Sequence, residues 1–214
     1  MQRREFSISA AVAAASAGAW ILPAQAQAEP RAGTEYVLLD KRAPVEAPTG
    51  KVEVVEFFWY SCPHCHRFEP AFEEWVKKAP KDVVVRRVPI AFRPDFEPQQ
   101  RLYYVLEAMN KVGDLHKKVF YAIHAEKQAL NTPELIGAWV EKQGIDKVKF
   151  LELYNSFSVA TQARKAAQLQ DAYKIDGVPA LGIAGRYFTS GSLVQSMERA
   201  LVVTDYLITQ ARKG

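Results

Sequence analysis

The sequence predicts an α/β fold in which a strand–helix–strand unit is separated from two later strands by a block of helices. Three observations carry this reading. The segment KVEVVEFFWY, residues 51–60, is rich in β-branched and aromatic residues and apolar on both alternating faces apart from Glu53 and Glu56, the pattern of a central strand covered on both sides. Residues 94–173 then read as helical throughout. Strand character returns only after GVPA at 177–180, in LGI (181–183) and YFT (187–189).

The first residues stand apart from this fold. Arg3 and Arg4 precede a small, apolar run at 8–22, then Pro23 and the small-residue sites AQA at 24–26 and 26–28. That is the layout of an export signal peptide spanning 1–28, with cleavage near 26 or 28. A retained anchor fits less well, because the run is shorter than the roughly 18 strongly apolar residues a spanning helix needs. Arg3-Arg4-Glu5-Phe6 resembles a twin-arginine signal, although an ordinary arginine pair is the simpler reading. No other apolar run is long enough to cross a bilayer, so the mature protein is expected to be soluble and outside the cytoplasm, where disulfide chemistry is possible.

The remaining elements follow in order. Residues 29–50 hold Pro30, Pro44, Pro48 and Gly50 around YVLL at 36–39, a lead-in with one edge strand. The strand at 51–60 runs into Ser61-Cys62-Pro63, where either Ser61 or Cys62 can cap a helix and Pro63 suits its first turn. Phe68, Phe72, Trp75 and Val76 continue that helix to Pro80, and a second buried strand is expected at 83–90. Strand, helix, strand implies a parallel pair.

Five helices are expected between 94 and 173. Leu102, Val105, Leu106 and Met109 form one stripe and Leu115, Val119, Phe120 and Ile123 another. Thr132-Pro133-Glu134 starts a third helix that Gly144 ends; Asp146 caps a fourth; Ser156 or Ser158 opens a fifth, ending near Ile175. After the turn Ala184-Gly185-Arg186, one amphipathic helix is expected to carry Leu193, Met197 and Leu201 to about Arg212. The expected domains are therefore 29–93 with 174–214, interrupted by a helical domain at 94–173.

A formal charge of +4 is small for 214 residues, and the basic residues are scattered with no block of five. Nucleic acid is not an expected partner.

Four chemistries compete for Cys62-Pro63-His64-Cys65-His66. The spacing is that of c-type haem attachment, with Met109, Met197, His116 or His124 as a second axial ligand. The strand before Cys62 and the proline at a helix start argue against haem. Zinc would need His64 or His66 and a remote histidine to complete a site from the only two cysteines. A permanent disulfide would close so small a loop that it restrains the unfolded chain little, and a chain of this length buries a core without staples. Redox exchange explains more. Cys62 at the helix start faces free amide hydrogens and the positive end of the helix dipole, which favour its thiolate. Cys65 lies one turn on, on the buried side, and can resolve a mixed disulfide; His64 adds a donor or positive charge near Cys62.

VVEFFWYSCPHCHRFEP (54–70), the late GVPA and the helices between them resemble the DsbA family of periplasmic thiol:disulfide oxidoreductases, within the thioredoxin superfamily. The resemblance covers most of residues 35–212. It implies an α/β thioredoxin fold with an inserted helical domain, and an enzyme that donates its disulfide without cofactor or metal. It makes Cys62 the nucleophile, Cys65 the buried partner, and Pro63 and His64 the dipeptide that tunes them. Val178 would receive the substrate strand before a cis Pro179. The implied partners are reduced or unfolded exported proteins and a quinone-linked membrane reoxidant of the DsbB type, and the implied compartment is the periplasm.

Glu56 shares a face with Val54 and Phe58, so its carboxyl is expected to point into an apolar layer; burial would raise its pKa and fit it for proton exchange with Cys65. A strand-end glutamate reaching solvent is the alternative. Glu69 is a weaker candidate for electrostatic adjustment. His66 departs from the family pattern, where an aromatic residue is common; an exposed surface position is its plainer role. A disulfide reductase or isomerase, or a peptide-binding protein with an incidental disulfide, remains open. The lead-in at 29–50 is too short for the association domain of dimeric isomerases, which counts against the isomerase reading; a monomer is expected.

Overall fold

The computed structural model describes residues 29–213; the expected signal peptide, 1–28, lies outside the described residues. Five strands form one mixed sheet: β1 (Val37–Leu38), β2 (Val52–Phe58), β3 (Val83–Pro89), β4 (Ala180–Ile183) and β5 (Tyr187–Ser190). Their order is β1-β5-β4-β2-β3. β2 pairs parallel with β3 and antiparallel with β4, and β4 and β5 form an antiparallel hairpin. Every residue of β2 is buried, as its two-faced apolar pattern requires.

Side-chain alternation along β2 serves two cores. Val52 and Val54 pack with Phe68 and Phe72 of α1 (Pro63–Lys78) and with Val203, Leu207 and Ile208 of α8 (Met197–Arg212). Val55 and Phe57 belong to the larger core on the other side, which includes Leu102, Phe120, Val140, Phe150 and Tyr173. The helices contributing to it are α2 (Glu97–Ala108), α3 (Val112–His124), α4 (Pro133–Lys142), α5 (Lys147–Tyr154) and α6 (Phe157–Ala172), which follow a 3-10 turn at Pro94–Phe96. Caps set their starts: Thr132 Oγ1 accepts from Leu135 N, Asp146 Oδ1 from Lys149 N and Ser156 Oγ from Val159 N. Ser156, not Ser158, therefore opens α6.

Two expectations are corrected. β3 is not buried like β2, because it lies at the sheet edge with one neighbour and its first five residues are half-covered. The last helix is not continuous from Leu193. A short helix α7 (Gly191–Val194) stops at Gln195, which turns to φ 65°, and α8 restarts with Ser196 Oγ accepting from Arg199 N. Local amphipathic spacing does not reveal such a break, since a cap inside a periodic pattern reads as one more polar residue.

Tyr173 ties the end of the helical block to the sheet. Its hydroxyl accepts a hydrogen bond from Gly185 N at 2.9 Å, and its ring lies so close to Gly182 that a Cβ there would sit 2.5 Å from a ring carbon. Gly182→Ala is expected to cost about 1–3 kcal/mol by overpacking, and Tyr173→Phe about 1 kcal/mol through the lost hydrogen bond. Urea unfolding of the two variants checks both the sizes and their order.

Candidate active site

β2 delivers the chain to a buried turn. Cys62 N donates to Trp59 O at 3.0 Å, and Cys62 then takes extended backbone angles as the N-cap of α1 with Pro63 in the first turn. Its sulfur accepts from Cys65 N at 3.4 Å. Cys62 rather than Ser61 is thus the cap. Ser61 is held elsewhere: its amide donates to Gln99 Oε1, while Gln99 Nε2 donates to Ser61 Oγ and to Leu130 O. Gln99, from α2, went unnoticed in the sequence because a glutamine on a helix carries no motif.

Both cysteines are free thiols, and both are buried. The Cys62 thiol is drawn down to about 6, first by the hydrogen bond from the Cys65 thiol, then by the amides of Cys65 and His64 and by the charge of His64, against its own burial. Burial pushes Cys65 well up, and the neighbouring Cys62 adds to this. One sulfur is therefore a thiolate at neutral pH and the other a thiol. His64 itself is exposed, with its Nδ1 accepting from Arg67 Nη2 at 2.7 Å. Its backbone reaches the sulfur more than its ring does.

Val178 and Pro179 come back from more than a hundred residues away to this sulfur. The Val178–Pro179 bond is cis, and Cys62 Sγ lies 3.4 Å from Val178 O. Beside them is an open groove of about 400 Å³ lined by His64, Pro179, Gly191, Ser192, Gln195 and Met197 among others.

His66 is half-buried rather than fully exposed. Its ring stacks on His124 at 4.7 Å and lies against Phe120, while His124 Nε2 donates to Tyr60 O at 2.8 Å. Burial lowers the His66 pKa, and His124 lowers it further. With its ring held in this packing and both cysteines buried, the haem reading has no geometric support.

Glu56 is buried, 1% exposed, yet its surroundings differ from the apolar layer expected. Arg87, on the adjacent β3, donates from Nε to Glu56 at 3.0 Å and from Nη2 to Glu69 at 3.2 Å and Glu73 at 2.6 Å. Arg87 was not singled out in the sequence, since the parallel register that sets it opposite Glu56 is a tertiary fact. Burial pushes Glu56 up to about 8, assisted by Glu69 and Glu73 and opposed by Arg87. Glu56 also raises the Cys65 pKa, so the two groups are electrostatically linked.

A depressed Cys62 pKa stabilises the reduced fold above the unfolded value near 9, and that stability is lost as the pH falls through about 6. Thiolate absorbance of the reduced protein should accordingly show a midpoint near 6. Cys65→Ala should raise it more than His64→Ala does, the order in which the two act on the sulfur; equal shifts would contradict that order.

The chain matches the family model of the DSBA-like thioredoxin domain over residues 53–202. It is 46% identical to the thiol:disulfide interchange protein DsbA of Bordetella parapertussis over 100% of both chains. It is 43% identical to the protein of that name from Pseudomonas aeruginosa PAO1 over 85% of each. Among solved structures, P. aeruginosa DsbA superposes with a TM-score of 0.82 at 41% identity, covering 86% of this chain and 95% of that one. The oxidoreductase DsbA from Xylella fastidiosa gives 0.80 at 28% identity, over 86% and 99%. Taken with the N-capping cysteine, its buried partner and the sheet that carries them, this likeness over the full length shows that the chain belongs to the DSBA-like thioredoxin family.

Proposed function

We propose that the protein oxidises cysteine pairs of exported proteins by donating a Cys62–Cys65 disulfide, with Cys62 as the attacked sulfur. Thiol:disulfide interchange is the activity its relatives are named for. The observation that carries the residue roles is the sulfur of Cys62 at the cap of α1, where Cys65 and two backbone amides favour its thiolate.

In the oxidised protein a substrate thiolate attacks Cys62 Sγ, the intramolecular disulfide breaks, and Cys65 leaves with the electron pair. Glu56 supplies the proton that Cys65 takes up, as a carboxyl pushed to about 8 can do near neutral pH. A second substrate thiolate then attacks its own partner's sulfur, and Cys62 departs as a thiolate. The substrate has lost two electrons and the protein has gained them. A low leaving-group pKa speeds that departure, and each unit of depression makes the disulfide more oxidising by about 30 mV. In this reading Val178 O and the groove beside Pro179 receive the substrate backbone, which the 3.4 Å contact of Cys62 Sγ with Val178 O supports.

Reductase and isomerase roles use the same sulfurs, but a thiolate this favoured resists giving its electrons away. Reduced exported proteins and a quinone-linked reoxidant of the DsbB type are the partners this reading requires, in the periplasm and with the protein acting as a monomer. Residues 29–93 with 174–214 serve as the thioredoxin-like domain and 94–173 as its helical insertion, while 1–28 serves as the export leader.

Cys62→Ala should abolish oxidation of a reduced dithiol peptide, whereas Cys65→Ala, its Cys62 first converted to a mixed disulfide with a small aromatic thiol, should release that thiol to a single-cysteine peptide and run as a mixed disulfide with the peptide on a non-reducing gel. Oxidation surviving Cys62→Ala would refute the proposal. N-terminal sequencing of protein recovered from the periplasm should begin after residue 26 or 28.

A further inference from the structure

The buried charges beneath Cys65 do not balance. Arg87 faces three carboxylates, those of Glu56, Glu69 and Glu73, and Lys117 adds a second cation 3.3 Å from Glu73 at the solvent edge. Two positive charges match two carboxylates. The third, in a low-dielectric interior, keeps a proton.

Which carboxyl keeps it depends on the other bonds each can make. Glu73 has Lys117 as well as Arg87. Glu69 gives Oε1 to Arg87 and turns Oε2 toward His116 Nε2, 3.5 Å away; among the described residues neither of these buried atoms has a hydrogen-bond partner. The opposite nitrogen of His116, Nδ1, lies 2.9 Å from the Tyr60 hydroxyl. When that hydroxyl donates to Nδ1, the ring proton sits on Nε2 and points at Glu69. In the other tautomer a lone pair would face the carboxylate.

We propose that His116, held in its Nε2–H form by Tyr60, is a positioning residue that turns a donor toward Glu69 Oε2 and so leaves the cluster's shared proton on Glu56. The inference rests on Glu56 being the proton donor to Cys65. When Cys65 leaves Cys62 with the electron pair of the disulfide, it takes the proton from Glu56, whose carboxylate is then held by Arg87. On reoxidation Cys65 returns the same proton. The electrons moved are those of the disulfide.

The setting of His116 suits this role. It faces Tyr60 after β2, Glu69 and Glu73 from α1, Arg87 from β3 and Tyr103 from α2, with Phe58 and Phe120 packed edge-on at 5.1 and 5.2 Å. Burial lowers its pKa while Glu69 pulls the other way, so at neutral pH it is a neutral donor. Glu56 faces Arg87 from β3, Glu69, Glu73 and Cys65 from α1, and the Tyr60 and Tyr103 hydroxyls.

Carbon-13 NMR titration of the glutamate carboxyls in the reduced full chain, with the pH profile of single-turnover peptide oxidation, tests this. Without the donor, as in His116→Leu, the shared proton should move away from Glu56, which should become about tenfold more acidic, the size expected when one neighbouring charge is removed. His116→Gln, whose amide can still donate to Glu69, should keep the wild-type midpoint. Should His116→Leu not fold, Tyr60→Phe keeps the ring while releasing the tautomer, and its midpoint should fall in the same direction. An unmoved midpoint in His116→Leu, or in Tyr60→Phe where that variant stands in, overturns the proposal. So does an equal shift in His116→Gln. Glu56→Gln separates the two readings: a rate titration that persists in it sinks the Glu56 assignment, whereas one that vanishes there but is unmoved by His116→Leu sinks only the role of His116.

Discussion

The start of α1 is the constraint on which the site depends. A helix leaves its first amides without intrahelical partners, and here the group placed at the cap is a sulfur rather than a hydroxyl or carboxylate. A thiol caps poorly and a thiolate caps well, so the fold favours the charged, reduced form of Cys62. Three features make this possible: β2 must end in a buried turn, Pro63 must open the helix, and Cys65 must lie one turn on, where its thiol can donate. Each is short in sequence and rigid in structure.

Burying Cys65 creates a second requirement, since a thiolate generated there must find a proton at once. Close to Cys65 lies a group of ionisable side chains that would each be costly to bury alone, and one of them, Glu56, raises the Cys65 pKa. Arg87 is shared among three carboxylates on the same side of the sheet as α1. Burial is the main reason the Glu56 carboxyl is pushed up to about 8, with Glu69 and Glu73 adding to it and Arg87 opposing.

The helical block is more than a cover for the sheet. Gln99 from α2 locks Ser61, His124 from α3 holds Tyr60 O and stacks on His66, and His116 reaches Tyr60 and Glu69. The turn before Cys62 is thus clamped by side chains from the inserted helices. Their apolar stripes could be read from spacing, but nothing in that spacing singles out these polar residues, which become significant only when α2 and α3 pack beside the active-site turn.

By itself, the sequence determined the elements and the chemistry written in local order: a two-faced apolar strand, a cap followed by proline, two cysteines one helical turn apart, and a proline late in the chain at a strand start. These follow from period, capping and backbone restriction, which act over a few residues. Tertiary structure alone decided the pairing of β2 with β3 that sets Arg87 against Glu56, the edge position that leaves β3 half-covered, the break at Gln195, and the return of Val178 to the Cys62 sulfur. The reason is physical. Electrostatic and hydrogen-bond partners far apart in the chain meet only through sheet register and helix packing, and burial is a property of the whole fold.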